Sequence, residues 1–288
     1  MNTASWIAYR DLLEKCGPEK RMALLRYVSE EEQAKLAEIP LPSSDPFSYS
    51  LSMEERLQAI HYSWLILFLE PFSETDKLKI LSALNPIQAE KLKTHFQIED
   101  PLVRLSSHTK RFLLHSIYGW LISEQKEFIP FEFLPAHPLN LILNLSKNEI
   151  QHLVDFLGIH DLSLEIKKVV QSEQIKKILQ ALSKVQRDYL KNLVKEKEPV
   201  SFARLNLDKW DGCEDKLKKI LHHRGFNRLS KALFGCHPSL MWHLTHRLDT
   251  GRTRILRKFF TDINNDKAQE TLTSQIVELI PLIRQHYE

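Results

Sequence analysis

Apolar residues recur every three or four positions along most of the chain, a period that predicts helix almost throughout. Within it a phrase repeats: an apolar residue, two of any kind, an apolar residue, a capping residue, six of any kind, then an apolar residue. The copies are Leu25/Val28/Ser29/Leu36, Leu69/Phe72/Ser73/Ile80, Leu81/Leu84/Asn85/Leu92, Ile142/Leu145/Ser146/Leu153, Leu179/Leu182/Ser183/Leu190 and Thr245/Leu248/Asp249/Leu256. Each copy predicts the end of one helix and the start of the next. Ser, Asn and Asp accept from the free N–H groups of a first helical turn, and a Glu or Gln three residues on bonds back. Ser29 with Glu32, Ser146 with Glu149, Ser183 with Gln186 and Asn85 with Gln88 meet that pattern, and Ser73 with Asp76 approaches it. Phe202 to Leu207 alternates briefly but has no partner segment to pair with. The expected fold is all-α: a multi-lobed array of short antiparallel helices with armadillo-like helical units, irregularly spaced rather than strictly periodic.

Prolines mark the joints, because proline cannot continue a helix and pushes the preceding residue out of the α region. Pro40, Pro42 and Pro46, with Ser43, Ser44 and Asp45 between them, form the clearest linker; Phe128 to Pro138 is a second break and Glu196 to Pro199 a third, charged one. The predicted pieces are an N-terminal helical segment over 1-42, a helical domain over 51-128, a middle helical domain over 136-198 and a basic C-terminal helical domain over 200-288.

Composition sharpens this picture. The 288 residues include 46 leucines and only seven glycines. Phosphate-cradling loops, doubly wound sheets and nucleophile elbows all need glycine where the backbone turns tightly or meets a ligand, so nucleotide folds are disfavoured. No Walker loop, dinucleotide fingerprint or G-x-S-x-G is present. The longest apolar run, Trp64 to Leu69, is far short of the roughly 20 residues that span a bilayer. Met1 to Arg10 lacks a basic head and apolar stretch, so no secretory signal is expected. Cys16, Cys213 and Cys236, without a C-x-x-C pair, fit reduced thiols in a cytoplasm.

Formal net charge is only +3, but its parts differ. Residues 1–100 carry 11 Lys and Arg against 16 Asp and Glu, whereas Lys216 to Phe260 carries 11 basic residues against Asp249 alone. Such a basic stretch suits an acidic protein surface, nucleic acid through counterion release, or simply solvated helix faces. Its basic residues alternate with leucines at helical spacing rather than with exposed aromatics, which favours an acidic protein partner. Cys213, His222, His223, Cys236, His237, His243 and His246 share this third of the chain. A closed zinc site wants four ligands with short paired spacing, which they lack, so packed or surface histidines are expected and no metal. Trp120, Trp210 and Trp242 lie in apolar helical patterns and are expected in the core. No catalytic residue and no cofactor is expected.

Phe202 to Leu207, Asp215 to Leu221, Leu229-Ser-Lys-Ala-Leu-Phe-Gly235, then Leu240, Leu244, Leu248, Asp249 and Leu256 follow one another in an order that resembles the C-terminal domain of the flagellar motor switch protein family. His137-Pro138, followed by Leu141, Ile142, Leu143 and Ser146, is similar to the Glu-His-Pro-Gln helix start of that family's middle domain, with Ala136 and Leu139 in place of its outer residues. Residues 59–96 resemble the same helical unit more loosely. The resemblance implies a non-enzymatic scaffold or adaptor of a flagellar-switch-like or type III secretion cytoplasmic ring, a sorting platform linking a membrane ring to cytoplasmic components. It would be cytoplasmic and peripheral to the inner membrane through a complex. The family's charged helix presents both signs, whereas Lys216, Lys218 and Lys219 here leave Asp215 as the acid; the family's hinge glycine pair is missing. Both departures imply a platform rather than a rotor. Partner contacts are expected at His137, Pro138 and Leu139, and at Lys216, Lys218, Lys219, Arg252, Arg254 and Arg257, with protein ring components, an acidic surface for the C-terminal lobe, or a second copy. The alternative is a basic helical nucleic-acid-binding protein.

Overall fold

Helix dominates the computed structural model, which describes residues 3–42, 51–125, 127–196, 198–202, 204, 205, 207 and 210–287. In chain order the α-helices are α1 (Thr3–Lys15), α2 (Pro18–Leu25), α3 (Glu30–Glu38), α4 (Met53–Ala59), α5 (Ile66–Leu69), α6 (Glu74–Ala83), α7 (Pro86–Phe96), α8 (Ser107–Ile122), α9 (Lys147–Ile166), α10 (Ser172–Ala181), α11 (Lys184–Lys195), α12 (Glu214–Ala232), α13 (Pro238–Arg247), α14 (Thr250–Phe259) and α15 (Asp266–Tyr287). Short 3₁₀ turns span Tyr62–Trp64, Phe131–Phe133 and Pro138–Asn144. Among the described residues the one β-type pairing is an isolated antiparallel bridge between Pro42 and Pro135. The protein is all-α. Ser43 to Pro46 of the expected linker, Lys197 of the charged break, and Ala203 and Asn206 of the alternating segment lie outside the described residues.

The expected caps form where local chemistry alone decides them. Ser29, Ser146 and Ser183 each accept from the third backbone N–H while Glu32, Glu149 and Gln186 bond back, closing three capping boxes. Ser52 with Glu55 closes a further box that the repeated phrase does not contain. Ser73 accepts from the Asp76 N–H as anticipated. Asn85 differs in half its box. Its side chain accepts from the Gln88 N–H, but the Gln88 amide donates to Leu57 O at 2.8 Å and Ile60 O at 2.7 Å. Those carbonyls lie at the buried end of α4, and leaving an acceptor unmet there costs more than losing one arm of a solvated cap.

By contact the chain falls into two units: 1–137 with 237–250, and 138–236 with 251–288. Helix α13 thus belongs to the first unit although it follows α12 of the second. The first unit's core gathers Leu57, Leu65, Leu69, Leu81, Leu92, Ile117 and Trp242, so α13 contributes its tryptophan to the same cluster as α4 to α8. Trp64 Nε1 also donates to Leu248 O at 2.9 Å.

The second unit is built on α9, which is apolar on nearly every side. Ile150, Leu153, Val154, Phe156, Leu157, Ile159 and Leu162 are all fully buried. An all-round apolar helix must be covered on all sides, and α12, α15 and α11 cover it. Gly158 of α9 and Gly225 of α12 set how closely the two cross. A Cβ on Gly158 would overlap the Leu221 carbonyl, and one on Gly225 the Val154 carbonyl. Two of seven glycines thus serve helix approach instead of loops.

Candidate functional site

The expected contact residues divide by exposure. His137 and Pro138 are exposed, whereas Leu139 is fully buried and anchors the Pro138–Asn144 turn within the second unit. Lys216 and Lys218 are exposed but pair with Asp211 and Glu214, so Asp215 is not the sole acid near them. Lys219 is exposed. Arg252 is half-buried and turned inward, its Nε 3.4 Å from His222 Nε2, while His222 Nδ1 meets Asp155 Oδ1 at 2.7 Å. Arg254, Arg257 and Lys258 are exposed on α14, and no acid lies between Thr250 and Thr261. The basic stretch read from charge counting therefore contracts to the outer face of α14 with Lys219.

Its most conspicuous member goes inside. Arg228 is completely buried and donates to Asp161 Oδ1 through Nε at 2.9 Å and Nη2 at 2.6 Å, to Glu198 Oε1 at 3.2 Å, to Gln275 Oε1 at 3.0 Å and to Val200 O at 2.9 Å. The guanidinium also sits over the Phe202 ring, 5.5 Å from its centre. Sequence separation hid this cluster, since its members come from α9, α12, α15 and the segment after α11. Burial pushes the Asp161 carboxyl up against the pull of Arg228. Burial would push Glu198 up too, but the His160 hydrogen bond and the Arg228 charge outweigh it and hold the carboxyl at about 2.

Next to this cluster, Tyr189, His160 and Glu198 form a relay. The Tyr189 hydroxyl is 2.7 Å from His160 Nε2, and His160 Nδ1 is 2.5 Å from Glu198 Oε2. They form one wall of a cavity of about 360 Å³ that Asn192, Glu196 and Glu278 also line. The order hydroxyl, imidazole, carboxylate matches a nucleophilic triad in outline. Its electrostatics do not. Burial, then the charges of Glu198 and Glu278, push the phenol well above its ordinary range, so it keeps its proton and is not an activated nucleophile. The arrangement closes a buried charge network.

Three of the histidines weighed as metal ligands take capping or packed positions. His237 accepts from the Ser239 N–H at 3.1 Å and caps α13. His243 Nε2 donates to Ile129 O at 3.0 Å, and burial lowers its pKa to about 3. His246 is stacked between Trp64 and Trp242, with ring centres 4.1 and 4.0 Å away. Among the described residues no group of three or more His, Cys, Asp or Glu side chains is placed to hold a metal ion.

Of the three tryptophans expected in the core, Trp242 is buried and Trp210 partly so, but Trp120 is 42% exposed. The helical period places Trp120 on the outer stripe of α8 with Phe112, Ser116 and Gly119, opposite buried Leu114, Ile117 and Leu121. Phe68 lies 5.3 Å from the Trp120 ring and 5.4 Å from Phe72, and Leu67 is 62% exposed, so these four residues mark an aromatic patch. Exposed Glu70, Glu74 and Glu124 follow them closely in the chain. Contiguous exposed apolar surface of this kind marks an interaction site more often than isolated residues do. Comparison of the chain with protein-family models, curated proteins and solved structures finds no match.

Proposed function

We propose that this protein is a non-enzymatic scaffold whose copies associate head to tail within a flagellar-switch-like or type III secretion cytoplasmic ring. The observation that carries the reading is a complementary pair of surfaces. The first unit exposes Leu67, Phe72 and Trp120, with half-buried Phe68 against Phe72 and Trp120 and with exposed Glu70, Glu74 and Glu124 close in the chain; the second exposes Arg254, Arg257 and Lys258 on an acid-free helix. A surface that differs from its complement makes a heterologous contact, which propagates into rings or filaments. Arginine over an aromatic face, rimmed by carboxylates, combines cation–π attraction with charge steering. Armadillo-like stacking of helical units and peripheral attachment to a membrane ring through partners extend the same reading. No described helix is long and apolar enough to cross a membrane, in keeping with attachment through other proteins.

Sedimentation of the purified chain over a concentration series tests this. Association should weaken as salt rises, and Trp120→Ser should raise the dissociation constant at least about tenfold, the scale of an interface hot spot. A strictly monomeric wild type at all concentrations would contradict copy-to-copy assembly. A gel shift with a steep salt dependence would instead favour the nucleic-acid reading.

A further inference from the structure

The cavity of about 360 Å³ beside Tyr189 lies wholly within the second unit, lined by the last turns of α11, the segment after it, and α15. That volume falls in the range of small-molecule sites. Its walls carry acid without base: Glu196, Glu198 and Glu278 each bring a carboxylate, and no lysine or arginine is among the described residues that line it.

The three carboxylates are not equivalent. Glu198 is taken up by the inner cluster, since Oε2 meets His160 Nδ1 at 2.5 Å and Oε1 accepts from Arg228 at 3.2 Å and Gln275 at 2.9 Å. Glu196 and Glu278 are exposed and enter no ion pair among the described residues. Their charge nonetheless reaches inward: after burial, the carboxylates of Glu198, Glu278 and Glu196 all raise the Tyr189 pKa, so a negative potential converges on the phenol. The relay also fixes who donates to whom. Glu198 is held ionised and can only accept, so His160 Nδ1 carries a proton. With the ring neutral, Nε2 accepts from the Tyr189 hydroxyl, and the phenol oxygen keeps its lone pairs for a further donor.

These walls select an occupant. A metal ion does not suit them, because no group of three or more His, Cys, Asp or Glu side chains among the described residues is placed to hold one. The two free carboxylates stand on different elements, Glu196 just past α11 and Glu278 on α15, and Leu193 and Pro199 add apolar surface to the same lining. Two separate anionic anchors with apolar surface match an apolar chain that ends in a cation on each side. We propose that this cavity binds a short aliphatic diamine, whose ammonium groups pair with Glu196 and Glu278, one of them also donating to the Tyr189 hydroxyl, while its methylenes lie on Leu193 and Pro199. An ammonium offers three donors and no acceptor, the complement of these groups. Occupancy ties the end of α11 to α15.

Calorimetric titration of the full chain with putrescine, a four-carbon diamine, at constant ionic strength tests the assignment. Binding should be saturable at one site and weaken as salt rises. Butanediol, of similar shape without charge, should not bind, and butylamine, with one cationic end, should bind at least about tenfold more weakly, the scale of one charge-assisted hydrogen bond. Glu278→Gln and Tyr189→Phe should each raise the dissociation constant at least about tenfold. Glu278 is exposed, so its variant remains decisive even if Tyr189→Phe fails to fold. Glu173→Gln, on α10 and outside the cavity lining, should bind as the wild type does. Absence of putrescine binding, equal binding of butylamine, or equal losses in Glu278→Gln and Glu173→Gln would overturn the assignment.

Discussion

Arg228 sits in the sequence as one more cation of a basic stretch, yet in the folded chain it is a buried hub with two carboxylates, an amide and a carbonyl around it. Removing one member of such a cluster strands the others. Arg228→Ala should therefore cost about 3–5 kcal/mol in chemical denaturation, whereas replacing Arg228, Asp161 and Glu198 together by apolar residues should recover much of the loss. If the single and triple replacements destabilise equally, the cluster is not acting as a unit. Acidity gives a second check. Glu198 has a folded pKa of about 2 against 4.5 for the free side chain, so the folded state binds fewer protons there between those values. Its contribution is fully present above about pH 4.5 and is lost as pH falls toward 2. Asp161 shifts the opposite way and so opposes this trend. Comparing wild type with Glu198→Gln isolates the Glu198 part: the wild type should lose its advantage steadily across that window, and parallel pH profiles would refute the assignment.

Elements were the most legible level, because a capped helix start is decided within four residues. Ser29, Ser146 and Ser183 close their boxes as their spacing requires, and Ser146→Ala should cost about 1 kcal/mol, measured as a lower urea midpoint with unchanged slope. The Asn85 box fails in half because Gln88 is drawn to carbonyls about 30 positions earlier in the chain, which no local pattern encodes. Trp120 departs from the core position its pattern suggests for a related reason: a period of three to four shows that a helix has an apolar face but not whether a second apolar stripe is covered. The glycines invite the opposite error. Their scarcity disfavours nucleotide loops, but nothing local shows that Gly158 and Gly225 face each other's helices. Gly225→Ala should destabilise the second unit by about 3 kcal/mol or more, since its new carbon meets backbone that cannot rotate away. A cost under about 1 kcal/mol would mean the two helices separate freely.

At the level of the whole molecule, the acidic first hundred residues and the basic C-terminal third suggest a polar chain, and surface exposure refines where that polarity is available. Arg228 is buried, Lys216 and Lys218 are paired and Arg252 is turned inward, so the outward basic face is narrower than a residue count implies. The aromatic patch near Glu70, Glu74 and Glu124 is its proposed counterpart, and the sequence pattern alone does not show that it is exposed. Charge pairing between these two faces of different copies is the central claim. Sedimentation of charge-reversed variants tests it most directly. Arg254→Glu with Arg257→Glu should abolish association, Glu70→Lys with Glu74→Lys should do the same, and an equimolar mixture of the two variants should restore it. Failure of the mixture to associate, with both variants folded, would contradict the account.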